Sequence, residues 1–293
     1  MNLKQLPALT TLSDCVTIVE LDNVKIVRII HDKAIAGIAL HGGHVVAFQP
    51  SGQDDMIWMS DKAIFDGKTA LRGGIPVCWP WFGRLAAPAH GFARTMPWQL
   101  IQHRENDHGV IVELGLTSNQ ETLTLWPHHF QLRLYVEISS TLKVNLTMTN
   151  TDQQAWDFSG ALHSYLAVTD VREMSISGMG THYLDSLQNG NSCQGTEILT
   201  LQSGIDRVYT EPQAHIHIHD HQAQRTITIE NHGHNSAVLW NPWQEGAETM
   251  VDMSSDGYLT MMCVESTWHA ANLATGKILL PGESHRLSTH IMA

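Results

Sequence analysis

The sequence is poor in basic residues. Among its 293 residues, Lys and Arg number 17 and Asp and Glu number 29, so the formal net charge is −12 with histidine counted as neutral. No basic cluster occurs along the chain, which argues against nucleic acid or an anionic membrane surface as a partner. A protein of this charge that binds an anion must concentrate its few arginines at the binding site.

Long apolar runs and an export signal are lacking as well. No run of apolar residues approaches the length of a membrane-spanning helix. The N-terminal stretch has neither the basic start nor the apolar core of a signal peptide. We therefore expect a cytoplasmic protein that has no membrane partner.

Cysteine pairs and several catalytic motifs are also missing. Cys15, Cys78, Cys193 and Cys263 are widely spaced and form no CxxC pair. Buried free thiols in a reducing compartment are the favoured interpretation, although the sequence alone leaves a disulfide open. The chain has no GxSxG, no P-loop and no GxGxxG after a strand, so serine nucleophiles and dinucleotide binding have no support.

What the sequence does contain is a long series of short apolar stretches separated by turn residues. The clearest is Leu142–Thr149, in which apolar and polar residues alternate with period two. Stretches at roughly 8–12-residue spacing indicate a large antiparallel sandwich or barrel. We predict a single all-β domain over residues 1–293, with one short helical turn at 267–273. Strands are predicted at 16–27, 34–48, 56–59, 97–103, 110–116, 132–137, 142–149, 158–168, 173–177, 215–219, 226–230, 237–240, 259–265 and 287–292.

The segment Arg72–Arg94 differs from the rest of the chain. Its three prolines forbid a continuous helix and remove ladder donors from a strand, so we expect a long ordered loop, which is often functional. Arginine beside aromatic rings suggests an anionic, ring-shaped ligand. A loop pinned by its aromatics, with arginines that cap carbonyls, is the structural alternative. The segment presents Arg72, Arg84 and Arg94 beside Trp79, Trp81, Phe82 and the titratable His90.

Two further residues are candidates for acid–base chemistry. His163 lies within a predicted strand, and by itself a core histidine is the favoured interpretation over a site residue. Glu265 ends an apolar strand, where a carboxylate is costly unless it is paired or opens to a cleft. Burial would raise the pKa of Glu265, which suits a general base. Asp206 lies in what reads as a polar connection at 203–209.

The run His215–His221 invites a metal interpretation. On a strand, its four alternate histidines project from one face, and three imidazoles on one face can bind zinc. However, no acidic or cysteine partner is in register, so an exposed strand face is the favoured interpretation and we assign no metal.

Together these stretches resemble one known family. Similar motifs occur, in the same order, in the hexose-6-phosphate mutarotases, which are the glucose-6-phosphate 1-epimerases within the aldose 1-epimerase superfamily. The resemblance implies a large antiparallel β-supersandwich with few short helices. The motifs are Arg72–Pro76, Pro80–Gly83, His90–Arg94, Ala161–Tyr165, Asp206–Tyr209, Trp240–Pro242, Asp256–Tyr258 and Cys263–Glu265.

The resemblance also implies roles for matching residues. His163 resembles the general acid that protonates the ring oxygen, and Glu265 the general base that takes the proton of the C1 hydroxyl. Such a ring opening and reclosure needs no metal or organic cofactor, and a histidine with a pKa of about 6.5 can give and take protons near neutrality.

The remaining matches concern substrate binding. His90 resembles a second histidine that holds or polarises the ring region, and Asp206 an aspartate that binds sugar hydroxyls. Arg72 and Arg94 match arginines that bind the 6-phosphate, whereas Arg84 has no counterpart that we can assign.

The sequence therefore predicts a monomeric hexose-6-phosphate 1-epimerase that interconverts the α and β anomers of D-glucose 6-phosphate. Three alternatives stay open. They are a mutarotase for unphosphorylated aldoses, a non-catalytic carbohydrate-binding protein, and a metalloprotein built on the histidine run.

Overall fold

Antiparallel strands dominate residues 2–293, the part of the chain that the computed structural model describes. A five-stranded meander comes first, with its strands paired in chain order. It comprises β1 (Ala8–Thr11), β2 (Val16–Leu21), β3 (Val24–His31), β4 (Ala34–Ala39) and β5 (His44–Pro50).

A nine-stranded sheet is the largest layer. Its spatial order is β17-β14-β19-β20-β24-β10-β9-β8-β7, so its middle joins the C-terminal strand to a central hairpin. The strands are β7 (Gln99–Asn106), β8 (Gly109–Thr117), β9 (Phe130–Ile138), β10 (Leu142–Asn150), β14 (Met174–Ser177), β17 (Ile198–Leu199), β19 (His215–Asp220), β20 (Arg225–His232) and β24 (Ser284–Met292).

An eight-stranded sheet carries most of the candidate site residues. Its order is β16-β15-β18-β21-β22-β12-β6, and β13 also pairs with β22. These strands are β6 (Val77–Cys78), β12 (Gly160–Leu162), β13 (Tyr165–Ala167), β15 (His182–Asp185), β16 (Asn191–Gln194), β18 (Ile205–Tyr209), β21 (Ser236–Asn241) and β22 (Met261–Trp268). A small pair, β11 (Trp156–Phe158) and β23 (Lys277–Leu279), completes the strands.

Two short α-helices, α1 (Gln120–Leu125) and α2 (Trp243–Thr249), interrupt the strands. Asn119 caps α1 in a reciprocal capping box with Thr122, a signal that the sequence analysis missed. Within residues 2–293, neither helix has the length and apolar content that crossing a bilayer requires.

The core forms where the alternating strands bury their apolar faces. In the hairpin β9–β10, Leu134 pairs with Leu146 and Val136 with Val144, and all four are buried. Side chains of a period-two pattern project alternately to the two faces of a sheet, so this hairpin contributes one apolar face to the core. The predicted all-β class and the predicted hairpin are confirmed.

The two tryptophans of Arg72–Arg94 lie deeper than we predicted, whereas Phe82 is half-buried and lines a cavity. Trp79 is 0% exposed and Trp81 is 2% exposed, so both belong to the core and not to a ligand-facing surface. The ring of Trp79 lies 4.5 Å from Phe130 and 5.1 Å from Trp126, centroid to centroid. Edge-to-face and offset ring pairs of this kind stabilise a core beyond the area that they bury. The loop is therefore pinned by its tryptophans, as the structural alternative held.

Several predictions of local structure were wrong. The predicted strand 16–27 is divided by a turn into β2 and β3, and the predicted strand 56–59 makes only isolated bridges. The stretch 158–168 is not one strand, because it changes partners: β11 pairs with β23, whereas β12 and β13 both pair with β22. The predicted turn at 267–273 is wrong because Thr267 and Trp268 complete β22. The predicted connection at 203–209 contains β18, which lies between β15 and β21.

All four cysteines are free, and Cys78 and Cys263 are buried, as predicted. Cys15 and Cys193 are only half-buried. Burial raises the pKa of the Cys78 thiol to about 12, so this thiol is neutral and serves as a packing group.

Candidate active site

A cavity of about 790 Å³ opens beside the eight-stranded sheet. Its walls combine the irregular loop after residue 72, strand residues from β18, β21 and β22, and the chain between β12 and β13. The cavity is lined by all six site residues that were predicted from the sequence. They are Arg72, His90, Arg94, His163, Asp206 and Glu265.

His163 and Glu265 face each other at a break in a strand ladder. Leu162 pairs with Ser266 and Tyr165 with Cys263, so the same register carried through the break sets His163 opposite Glu265. The two side chains meet with 3.3 Å between His163 Nε2 and Glu265 Oε1. The main chain of the break is tied down, since the His163 N–H donates to the Pro76 carbonyl at 3.1 Å.

Burial determines the protonation states of His163 and Glu265. Glu265 is 1% exposed, and burial, with the nearby Asp206, raises its pKa well above the usual range. Burial likewise lowers the pKa of His163 well below its usual value, and His90 and Arg94 add to this shift. Both shifts favour neutral forms. The pair therefore holds a single proton that either partner can carry, and the two titrate together.

Both partners also have an unused polar atom. Glu265 Oε2 and His163 Nδ1 are buried and make no hydrogen bond within residues 2–293. Buried polar atoms are normally paired, so such orphans in a cavity mark the place where a polar ligand would sit.

His90 stands beside this pair in a strained conformation. Its φ of 64° lies in the left-handed region that favours glycine, and its N–H donates to the Gly83 carbonyl at 2.6 Å. The rings of His90 and His163 are 5.7 Å apart. Burial, together with the charges of Arg94 and Arg72, lowers the pKa of His90 to about 3. A neutral His90 with a buried unpaired Nδ1 can donate to or accept from a ligand.

The backbone next to His90 requires glycine. A Cβ on Gly91, which has φ +70°, would lie 2.1 Å from the carbonyl oxygen of Trp79. Only glycine allows this close approach, which ties the loop that carries His90 to the buried Trp79.

The arginines of the loop differ in their partners. Arg72 Nε lies 3.2 Å from both carboxylate oxygens of Asp252, and its Nη1 donates to the Tyr165 hydroxyl at 3.0 Å. Arg94 Nη2 donates to the neutral Ala89 carbonyl at 2.8 Å. Arg84 lines the cavity and is exposed.

Asp206 reaches the cavity from β18, where it pairs with Trp240 of β21. Burial raises its pKa, against a lowering hydrogen bond from Ser186. A half-buried carboxylate on a strand is a rigid hydrogen-bond acceptor, which suits recognition of hydroxyl groups.

Four residues of the site had no role predicted from the sequence, although Tyr165 and Trp240 lie within matched motifs. Tyr165 stacks on His163 at 4.8 Å between ring centroids and 11° between planes, and Asp252 orients Arg72. Trp240 and His269 line the cavity as well. The position of Tyr165 two residues after His163 was a usable signal, whereas Asp252 and His269 lie in stretches with no pattern.

The histidine run lies on the nine-stranded sheet and lines no part of this cavity. Its four rings stack in a row with centroids 6.3, 6.0 and 6.4 Å apart. His217 and His219 contact the hydroxyls of Thr228 and Thr226. Among residues 2–293, no group of three or more His, Cys, Asp or Glu side chains is arranged to hold a metal ion.

Comparisons with known proteins agree with this geometry. The aldose 1-epimerase family matches residues 25–292. A protein of Salmonella typhimurium described as a candidate glucose-6-phosphate 1-epimerase is 36% identical over 270 residues, 91% of this chain and 90% of that protein. One of Escherichia coli with the same description is 35% identical over 267 residues, 90% of each chain.

A solved structure extends the likeness to the whole fold. The crystal structure of a candidate mutarotase from Salmonella typhimurium superposes with a TM-score of 0.92 at 34% identity and covers 99% of this chain and 97% of its own. The chain therefore belongs to the aldose 1-epimerase family, and it is an isomerase that acts on a sugar.

Proposed function

We propose that this enzyme interconverts the α and β anomers of aldohexose 6-phosphates, with D-glucose 6-phosphate as the favoured substrate. One observation carries the proposal: the buried His163–Glu265 pair lies in the same cavity as Arg72, Arg84 and Arg94. A proton-exchanging pair suits opening of a hemiacetal, and guanidinium groups suit a phosphate. The names of the relatives from Salmonella typhimurium and Escherichia coli point to the same substrate.

The spacing of the pair fits the reacting atoms. The O1 hydroxyl and the ring oxygen O5 are bonded to the same carbon, so a base and an acid only 3.3 Å apart can serve both. In the reactive form Glu265 is a carboxylate and His163 is an imidazolium. This form arises from the neutral pair when the proton of Glu265 moves to His163.

Ring opening then moves two protons at once. Glu265 takes the proton of the O1 hydroxyl while His163 gives its proton to O5, the C1–O5 bond breaks, and C1–O1 becomes a carbonyl. The pair ends neutral and still holds one proton. Rotation about C1–C2 presents the other face of the aldehyde, and the reverse transfers close the ring as the opposite anomer. Each acid–base group of this kind contributes about 10²–10⁴-fold to a rate.

The other residues hold the substrate in this proposal. Arg72 and Arg94 bind the 6-phosphate, Asp206 accepts hydrogen bonds from sugar hydroxyls, and the neutral His90 polarises the ring region. Because Asp252 and Tyr165 fix Arg72, its guanidinium is held in one orientation before the substrate arrives.

A mutarotase for unphosphorylated aldoses is the nearest alternative. Such an enzyme would use the same acid–base pair but would leave the loop arginines without an anion. A non-catalytic sugar-binding protein does not require a proton donor and a proton acceptor buried side by side. The His163–Glu265 pair therefore argues against this alternative.

The test is a measurement of anomer exchange. Freshly dissolved α-enriched glucose 6-phosphate is followed by NMR with and without the protein, beside α-enriched glucose. We expect catalysed exchange of the phosphate and much slower exchange of glucose. If neither sugar exchanges faster than its blank, the enzyme proposal fails, whereas equal acceleration of both removes the phosphate preference.

Partners and location follow from the same proposal. A sugar phosphate would be the ligand, and four free cysteines are compatible with the reducing cytoplasm. That the chain acts as a monomer, forms one domain and binds neither nucleic acid nor membrane stays a prediction.

A further inference from the structure

The three arginines of the loop differ in how much of their charge is already matched. The Arg72 guanidinium contacts both oxygens of the Asp252 carboxylate, so its charge is largely compensated. Arg94 bonds only a neutral carbonyl, that of Ala89. Arg84 makes no hydrogen bond and no ion pair within residues 2–293, and its side chain is exposed at the wall of the cavity.

The loop that carries Arg84 is fixed at both ends. The His90 N–H donates to the Gly83 carbonyl at 2.6 Å, and the indole N–H of Trp81 donates to the Pro88 carbonyl at 2.7 Å. Between these anchors the chain makes a closed turn. Arg84 is thus presented from a rigid base with a side chain that is free to move.

The charge of Arg84 reaches the site. It acts on the neighbouring His90, where it adds to burial and to the two other arginines in lowering the pKa. The carboxylates of the cavity, Asp206 and Glu265, lie on the strands of the eight-stranded sheet, whereas the arginines come from the loop. The cavity therefore has a strand wall that carries carboxyl groups and a loop wall that carries guanidinium groups.

A count of charges indicates a role for Arg84 beside Arg72 and Arg94. A phosphate monoester carries about −1.5 to −2 at neutral pH. With Arg72 matched by Asp252, the uncompensated cations of the loop wall are Arg94 and Arg84, and two of them balance one dianion. We infer that Arg84 binds the 6-phosphate beside Arg72 and Arg94, supplies with Arg94 the charge that balances it, and sets the preference for phosphorylated over neutral sugars. The inference rests on the proposed function, and it assigns a role that the sequence left open.

The test compares Arg84→Ala with the wild type on both substrates. For glucose 6-phosphate we expect KM to rise about five- to tenfold at low salt with little change in kcat, because an exposed charge–phosphate contact is modest and lost equally from ground and transition states. For glucose we expect no change in kcat/KM. The KM difference should shrink at high ionic strength, since salt screens exposed charges.

Two companion variants sharpen the result. Arg84→Lys keeps a positive charge without the planar guanidinium group. Its KM for glucose 6-phosphate should lie between those of the wild type and Arg84→Ala. Arg286→Ala removes an arginine that is also exposed but lies on β24, outside the cavity, and should leave both substrates unchanged. Arg84→Ala should unfold at the wild-type temperature, since the side chain holds no contact that folding needs.

The outcomes separate this inference from the function on which it rests. If the wild type does not accelerate glucose 6-phosphate, the proposed function fails first. If the wild type is active and Arg84→Ala keeps its KM for glucose 6-phosphate, the role of Arg84 is refuted. Equal losses on glucose and its phosphate would also refute it, because they would show a general effect on the site.

Discussion

Replacing Glu265 with Gln is the sharpest test of the buried pair. Glutamine has the size of glutamate and can still contact His163, but it cannot take a proton. We expect kcat for anomer exchange to fall by about 10²–10⁴-fold, the usual contribution of one acid–base group. KM should change little, because the variant loses an interaction made in the transition state and keeps the shape of the site.

The same substitution should change stability in a pH-dependent way. Burial raises the pKa of Glu265 in the folded protein, so the folded state holds this proton more tightly than the unfolded state does. The contribution of this bound proton to the free energy of unfolding is fully present below the pKa of Glu265 in the unfolded chain, about 4.3. It is lost as pH rises through the pKa of Glu265 in the folded protein. Glutamine carries no such proton. Glu265→Gln should therefore gain stability relative to the wild type as pH rises above about 4.3, and the two should converge below that pH.

Two measurements check this reasoning. NMR exchange of glucose 6-phosphate gives kcat and KM, and urea unfolding across the pH range gives the difference in free energy. Glu245→Gln is the control, since Glu245 is exposed on α2 and outside the cavity. Retained activity in Glu265→Gln would remove Glu265 from its role, and a stability difference that does not vary with pH would show that its pKa is not raised.

Three further substitutions probe the loop. Trp79→Ala should lower the free energy of unfolding by about 3–5 kcal/mol, measured in urea; a loss below about 1 kcal/mol would mean that the ring is not core. Gly91→Ala should lower Tm more than Gly52→Ala, which has a similar positive φ but nothing within 4 Å of its Cβ; equal losses would show that backbone strain alone acts. Arg94→Ala should raise KM for glucose 6-phosphate by about tenfold or more, and an unchanged KM would count against its phosphate contact.

Much of the fold could be predicted from local patterns. Period-two alternation marks a strand wherever one face is buried, as in β9 and β10. It fails where both faces are buried or the chain changes partners, which is why 158–168 reads as one strand but forms three. Short helices such as α2 give too few turns for a periodic signal.

The candidate site was predicted in its members but not in its connections. All six residues line one cavity, yet the link between Arg72 and Asp252 was not foreseen, and the burial of Trp79 was predicted only as the structural alternative. Both depend on contacts between segments far apart in sequence, and no local pattern encodes such contacts. The run His215–His221 shows the converse, since a conspicuous local pattern lies outside the cavity.

The sequence by itself determined the class of the fold, the irregular loop and the residue types available for chemistry, because alternation, proline content and composition act over a few neighbouring positions. Only the tertiary structure decided which residues meet. The register of β12 and β13 on β22 sets His163 opposite Glu265, and burial then shifts both pKa values towards one shared proton. Folding also places the Asp252 carboxylate against the charge of Arg72 and leaves the charge of Arg84 without such a partner. The packing of segments that are distant in sequence fixes this charge balance.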